Sequence, residues 1–579
     1  MGHPAMRGMS FWLQVPCNTT KHNYMQYAGS SLRKYLTNTS KLGLIGPTNN
    51  YWLIRVFIHF EAEYMTDLFI VKWIFAFSPI LTVLVLMIFK NWGGSRAGAA
   101  GWFVALITAT LFFGAHPVLL AYSQVKGALL SLNVLYIIWA ALLLYNVVNE
   151  TGAIKVIGLG IERFSGDKSI QIIIFGWIFA SFLQGVAGYG VPIAVAAPLL
   201  VGLGFSPVVA VAVPAIGHSW SVTFGSMGAS FQALMAVSGL ESAYLAPWSA
   251  ALLGIAAYLC GIFAVYVYGG WKMVKHSLIA ILIVGTAMAG TQYALAVSGM
   301  WTLAGFGASL VGLGSGLAVA KLKRYNQASA SQSRLEMGLW WALSAYLILI
   351  VIVSSGVMIP SVKAFLGQVK LSLAFPEIVS LKGWVTEAGT GKGINLFGHG
   401  GALLLYSSII SYFVYRSKGF YKPHALKAIL QKTVKSGVPT SLGIVSMVCF
   451  AMIMDHCQMI YILAEGISRV FGSFYPLVAP WIGLLGAFMT GSNTNSNVVF
   501  GVLQQQTAEL AGLSAALILA AQTTGGALGS MIAPAKILVG CSTVGLSGKE
   551  GPVLKVTLRY GLLITGIIGV ITILASLII

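Results

Sequence analysis

The sequence predicts an all-α polytopic membrane protein of about 12–14 transmembrane helices, with two inverted repeats that contain broken or re-entrant helices. Three observations carry that prediction. First, 57% of the 579 residues are hydrophobic, only 8% are charged, and the mean hydropathy is +0.85. An average soluble domain carries about 25% charged residues, because a soluble fold needs a polar surface. Second, apolar stretches of about 20 residues recur along the chain, the length that crosses a bilayer. Third, two long apolar regions are interrupted by Gly, Pro, Ser and Asn at corresponding places. Soluble enzymes, nucleic-acid binders and disordered chains are excluded, and the lipid bilayer is the first partner. The net charge of +20, from 34 Lys and Arg against 14 Asp and Glu, then has a membrane reading. Cytoplasmic loops of membrane proteins collect Lys and Arg.

In chain order, residues 1–64 form a polar N-terminal extension rich in Asn, Thr, Tyr and Lys, without a signal-peptide pattern. Met65 opens directly into the first span and stands as a candidate physiological start; the alternative is a real but weakly ordered extension. A first membrane repeat is expected over 65–240 and connecting helices over 241–397. A second repeat is expected over 398–579. Uninterrupted spans are expected at 69–89, 99–115, 127–148, 246–270, 277–297, 301–320, 339–359, 398–415, 437–463 and 557–578. Arg416, Lys418, Lys422, Lys427, Lys432 and Lys435 fall in one loop without an acid, which places 416–435 inside. Counting spans from there puts 360–397 outside, 149–169 inside and Glu241 outside. The interrupted regions 170–240 and 474–546 then run in opposite directions. The five cysteines form no CxxC or metal-type spacing, so neither a metal nor a cofactor is expected.

The interrupted regions repeat one another. Gly204-Phe205-Ser206, Gly217 and Gly225-Ser226-Met227 in the first match Gly512-Leu513-Ser514, Gly525 and Gly529-Ser530-Met531 in the second. The first two matches share one offset and the third needs a short gap. Broken helices in inverted repeats are the plan of many secondary transporters, with substrate held at the breaks. Irregular backbone cannot face lipid, but it can line a cavity, and a half-helix N-terminus suits an anion.

The first break is 184–192, where Gly185, Gly188 and Gly190 release the backbone and Pro192 opens the next half-helix. The second is 490–497, eight consecutive small or polar residues. Substrate contacts are expected from Gly188, Tyr189 and Gly190, and from Ser492, Asn493, Thr494, Asn495 and Ser496. Two accompanying clusters add His218, Ser219, Ser221 and Thr223, and Gln522, Thr523 and Thr524. The alternative for each hydroxyl is a bond to its own helix, three or four residues back. For the polar run it is a surface turn.

Of the 14 acids, only Asp455 and Glu509 lie well within membrane-like sequence, and they are proton-coupling candidates with His218; the alternative for Glu509, which precedes Gly512, is a place at an interface. Asp455 is followed by His456, and it is equally a structural partner for a basic side chain. Lys536 directly follows the second Gly-Ser-Met copy and is a counter-charge candidate for an anion, or a snorkelling lysine; Lys126 is similarly ambiguous.

These residues resemble the lactate permease family of proton-coupled 2-hydroxy-acid importers. The resemblance runs from Leu183 to Pro192, Leu199 to Phe205 and Val222 to Gly228. It resumes at Thr490 to Asn497, Gln522 to Gly526, Met531 to Pro534 and Val544 to Glu550, and covers roughly 66–579. It implies paired scaffold and transport domains, often in a homodimer, in the plasma membrane of a prokaryote. Gln184 and Asn493 depart from it, standing where an acidic residue is expected. Their neutrality makes the breaks less repulsive to an anion. The leading expectation is a symporter that imports L-lactate or a related 2-hydroxy monocarboxylate such as glycolate with a proton. An antiporter or another organic-anion transporter on the same fold remains open. An intramembrane enzyme would need a convergent catalytic set, at which only Asp455-His456 hints. No Gly-x-x-x-x-Gly-Lys-Ser/Thr pattern is present, so an ion gradient supplies the energy, and no nucleic-acid partner is implied.

Overall fold

The computed structural model describes residues 51–579 apart from 91, 163–165, 187–189, 326–336, 391–392, 547–548 and 579. The chain divides into two units, Met1–Val71 and Lys72–Ile579. Residues 1–50 of the polar extension lie outside the described residues. The first helix, α1 (Tyr51–Lys90), is continuous through Met65.

Helices α2 (Gly94–Phe112), α3 (Pro117–Asn149) and α4 (Ala153–Glu162) follow. Pro117 opens α3 at the position where a missing N–H costs nothing, and the His116 ring accepts from the Leu119 N–H. Next come α5 (Lys168–Val186), π-helical over Ile172–Phe179, then α6 (Val191–Gly202), α7 (Pro207–Ser219) and α8 (Gly225–Ser238). Helix α9 (Ser242–Val297) has 56 residues and bends at Gly269 and Gly270, so its two arms each have spanning length. Helices α10 (Trp301–Ala320), α11 (Leu339–Met358) and α12 (Pro360–Leu366) lead to a strand region, then α13 (Gly400–Ser417), α14 (Ala425–His456) and α15 (Met459–Phe471). The chain ends with α16 (Tyr475–Thr490), α17 (Asn493–Leu510), α18 (Ala515–Gly529), α19 (Pro534–Thr543) and α20 (Gly551–Ser576). Among the described residues, 11 helices are long and apolar enough to cross a membrane, with α6 and α7 as shorter apolar helices. The chain is an all-α polytopic membrane protein.

The interrupted regions fold as two modules with one element order: helix, break, helix, tight turn, helix, break, helix. In the first, α5 ends at Val186 and α6 begins at Val191 after the left-handed Gly190, Gly204 turns the chain, and α7 and α8 flank a second break. In the second, α16 and α17 flank Gly491 and Ser492, Gly512 turns the chain, and α18 and α19 flank a fourth break. The matched sequence signatures occupy matched places. Gly204 (φ 85°) and Gly512 (φ 69°) make the left-handed turns that glycine tolerates without Cβ strain. Gly217 and Gly525 let helices cross: an added Cβ would lie 2.0 Å from the Gly176 carbonyl oxygen and 1.8 Å from that of Pro480. The fourth helix of each module packs on the second helix of the other, α8 on α17 and α19 on α6. Such reciprocal contact is what a two-fold relation between modules produces.

Residues 370–395 form a nested antiparallel hairpin where the sequence reading expects a loop. Its rungs are Lys370–Leu371 (β1) with Ile394–Asn395 (β6), Ala374–Phe375 (β2) with Gly389–Thr390 (β5), and Ile378–Val379 (β3) with Val385–Thr386 (β4). Each rung is two residues long, too short to leave a readable alternation of apolar and polar side chains. This flap is tied to the turn before α3. The Leu381 N–H donates to the Gly114 carbonyl (2.8 Å), the Lys382 ammonium donates to the Phe112 carbonyl (2.6 Å), and the His116 ring meets the Val379 carbonyl (3.1 Å).

Candidate functional site

The breaks converge. Asn493, the first residue of α17, donates from Nδ2 to Thr223 Oγ1 in the second break (3.0 Å) and to the Thr523 carbonyl of α18 (3.2 Å). The Thr223 hydroxyl donates to that same carbonyl (3.1 Å). One turn along α17, Asn497 Nδ2 donates to Thr523 Oγ1 (2.9 Å) and to the Ser230 carbonyl of α8 (3.0 Å). The hydroxyls of Ser230 and Thr494 meet at 2.9 Å. Polar side chains at the start of α17 thus knit the two modules together, and Asn493, Thr494, Ser496, Asn497, Thr223 and Thr523 are all buried.

Local sequence explains the placement. Ser492 caps α17, its side chain accepting from the Asn495 N–H (3.3 Å), after Gly491 (φ 69°) ends α16. The Thr490 hydroxyl bridges the carbonyls of Gly486 (2.8 Å) and Ser492 (2.9 Å). Beside the second break, in the first turn of α8, Ser226 (φ 47°), Met227 (φ 54°) and Gly228 (φ 76°) are three consecutive left-handed residues. Left-handed backbone at two non-glycine residues costs of order 1–3 kcal/mol each and clusters at functional sites. An added Cβ on Gly225 would meet Gln184 at 2.9 Å, so that break lies directly against the end of α5.

Lys536 sits in the first turn of α19, between two breaks. A Cβ on Gly190 would lie 4.0 Å from the Lys536 Cα, and one on Gly491 would lie 4.0 Å from the Ala535 Cβ. The lysine is buried, its ammonium donates to Ser530 Oγ, and no acidic side chain pairs with it among the described residues. The placement is doubly unfavourable: a buried unpaired cation costs several kcal/mol, and a helix N-terminus repels positive charge. A bound anion would relieve both.

The helices that meet at the breaks also carry polar atoms without partners. Asn493 Oδ1, Asn495 Oδ1, Asn497 Oδ1, Gln184 Oε1 and His218 Nε2 are buried with no hydrogen bond among the described residues. A buried polar group left unpaired costs about 1–3 kcal/mol, so these atoms offer hydrogen-bonding capacity to a polar ligand. His218 Nδ1 meets the Pro214 carbonyl at 2.6 Å, and a carbonyl only accepts, so the proton of the neutral ring is on Nδ1. Its Nε2 lone pair is left free to receive a proton.

Not every expected contact lies in the network. The hydroxyls of Ser219, Ser221 and Thr524 donate to the backbone carbonyls of Ile216, His218 and Ala520, as hydroxyls on helices often do. Gly188 and Tyr189 lie outside the described residues. Asp455 is half-buried and accepts from Gln506 Nε2 (3.2 Å), and its Oδ2 lies 3.9 Å from His456 Nδ1. Glu509 differs from the expectation of a deep carboxylate. It is exposed in the last turn of α17 and accepts from Gln505 Nε2 (3.0 Å), because the turn at Gly512 brings that helix end to the surface.

Sequence reasoning missed a supporting chain behind Gln522. Tyr475 OH donates to Gln504 Oε1 (2.6 Å), Gln504 Nε2 donates to Gln522 Oε1 (2.7 Å), and Gln522 Nε2 donates to Ser496 Oγ (3.1 Å). Gln504, a glutamine facing the apolar interior of a helix, was the available signal.

Comparison with known proteins agrees with this architecture. A model of the L-lactate permease family matches residues 72–579. The L-lactate permease of Salmonella typhimurium is 30% identical over 508 residues, covering 83% of this chain and 91% of its own. The glycolate permease of Escherichia coli K12 is 27% identical over 537 residues, covering 86% and 95%. The L-lactate permease of Bacillus subtilis is 27% identical over 562 residues, covering 87% and 98%. A match over most of the chain, on a fold of spanning helices, identifies a multi-pass permease of the cell membrane rather than an enzyme: the chain belongs to the L-lactate permease family.

Proposed function

We propose that the chain is a proton-coupled symporter that imports L-lactate or a related 2-hydroxy monocarboxylate such as glycolate. The observation that carries this reading is Lys536, a buried cation without an acidic partner, set between two helix breaks and accompanied by unpartnered amide oxygens. The substrate carboxylate takes the Lys536 ammonium and the free N–H groups at the half-helix N-termini. The substrate hydroxyl donates to an amide oxygen of Asn493, Asn495 or Asn497. A substrate without a hydroxyl leaves that oxygen unpaired, which is how a polar site rejects an analogue. The names of the relatives, L-lactate and glycolate permeases, support the same substrate class.

His218 is the proton carrier in this reading. Its free Nε2 takes a proton when the carboxylate is bound, so that anion and proton enter as a neutral pair. The modules, oppositely oriented by the charge of their loops, alternate access around the site. Uptake of labelled L-lactate, glycolate and succinate into proteoliposomes, with and without an inward proton gradient, tests the proposal. The expected result is gradient-driven uptake of the two 2-hydroxy monocarboxylates over succinate. Absence of lactate and glycolate uptake refutes the substrate class, and uptake indifferent to the gradient refutes the coupling.

A further inference from the structure

A second lysine beside a cavity, Lys126, lies under the flap. Lys126 of α3 extends its ammonium to His456 Nε2 at 3.4 Å. His456 Nδ1 donates to the Met452 carbonyl (2.9 Å), so Nε2 of the neutral ring is an acceptor and Lys126 is the donor between them. Among the described residues His456 is the one hydrogen-bond partner of Lys126, and an ammonium has three donors. The remaining donors border a cavity of about 50 Å³, lined by Tyr122, Lys126, Phe375, Thr386, Glu387 and His456 among others. The roof is the flap, contributed by strands β2 to β5. Thr386 Oγ1 is buried with no hydrogen-bond partner. On one wall Tyr122 packs edge-on against Phe375, with ring centroids 5.3 Å apart.

We infer that this cavity is an outer binding site for a small carboxylate, held by the Lys126 ammonium and, through its hydroxyl, by Thr386. The ligand class follows from the donor set: a point cation for a carboxylate, a free hydroxyl beside it, and aromatic walls that limit size. The cavity admits a two- or three-carbon acid only when the flap yields. The other charges nearby are accounted for. Asp455 lies on the far side of the His456 ring and is engaged by Gln506. Glu387 is exposed at the rim, where water screens its repulsion. The site gives the proposed substrate a stop before the breaks, and it takes the choice of anion from the function proposed above.

The test is chemical protection of the full chain in detergent. Glu387→Cys places a thiol at the rim, and the rate of its alkylation by a charged maleimide is measured with and without glycolate. All variants are made in a Cys17→Ser parent, which supplies the background, since the other four cysteines, Cys260, Cys449, Cys457 and Cys541, are buried. Glycolate is expected to slow alkylation several-fold. Protection is expected to persist with Asn493→Ala added, to vanish with Lys126→Gln, and to return with Lys126→Arg. No protection by glycolate, or protection that survives Lys126→Gln, overturns the outer site. Protection abolished by Asn493→Ala alone also overturns it, because the signal then originates at the breaks. A chain that is protected but carries no lactate or glycolate in proteoliposomes refutes the transport reading and leaves the outer site standing.

Discussion

Thr223 and Thr523 meet hydroxyl to hydroxyl at 3.1 Å across 300 residues of sequence, and the Asn493 amide donates to both the Thr223 hydroxyl and the Thr523 carbonyl. Each residue comes from a different element: the second break, α18 and the start of α17. The contact joins the two modules at the level of their breaks. Any substitution there changes the geometry of both halves of the candidate site.

Asn493→Ala removes the donor that holds this junction, and with it the bonds to the Thr223 hydroxyl and the Thr523 carbonyl. The loss of a buried hydrogen bond costs about 1–3 kcal/mol, so substrate affinity should fall by about tenfold or more. Ser221→Ala is the matched control. Its hydroxyl serves only the His218 carbonyl of its own turn, so affinity should stay within about twofold of the parent. Equilibrium binding of labelled L-lactate to the two purified variants measures the contrast, and equal losses would remove Asn493 from the site.

Gly525→Ala tests the helix crossing that positions the second module. The new methyl would lie 1.8 Å from the Pro480 carbonyl oxygen, a backbone atom that cannot step aside. Overpacking of this kind costs about 1–3 kcal/mol, and more where backbone must move. The expected outcome is a lower melting temperature in detergent and reduced membrane yield. Gly551→Ala, with open space around the added methyl, should melt like the parent.

Asp167 anchors the start of α5 and sets a pH dependence. Burial alone would raise its carboxyl pKa, but donors from Ser169, the Ile170 N–H and His276 outweigh it and hold the carboxyl below the usual carboxylate range. A depressed folded pKa contributes stability that is complete above the unfolded value and is lost as pH falls through the folded one. Asp167→Ala should therefore cost about 1–2 kcal/mol at pH 7, in keeping with a lost helix cap. The gap to the parent should close as the medium is acidified through and below the carboxylate range. Thermal melting of both proteins across that pH series checks the sign, and a gap that widens in acid would contradict it.

Much of the fold was legible because its signals are local. Gly185 and Gly190, the polar run at 490–497 and the paired Gly-Ser-Met copies mark places where a helix cannot continue in lipid, and each sits at a break or beside one. The roles of individual hydroxyls were not legible. Thr223 reaches another module while Ser221, two residues earlier, bonds its own turn. Which occurs depends on a rotation that only packing fixes. Ser230, Gln504 and Tyr475 were missed for the same reason, since each looks ordinary until a partner distant in sequence is brought against it. Glu509 looked membrane-embedded because its neighbours are apolar, but the Gly512 turn carries it to the surface. The flap left no pattern because its rungs are two residues long.

The central claim is that Lys536, unpaired by any acid among the described residues, is the counter-charge for a carboxylate at the breaks. Binding of labelled L-lactate and glycolate to the purified chain and to Lys536→Gln, at matched thermal stability, measures it most directly. The account predicts that the neutral variant binds both anions about tenfold or more weakly while Lys536→Arg retains most of the affinity. Parent-like binding of both anions by Lys536→Gln would contradict it.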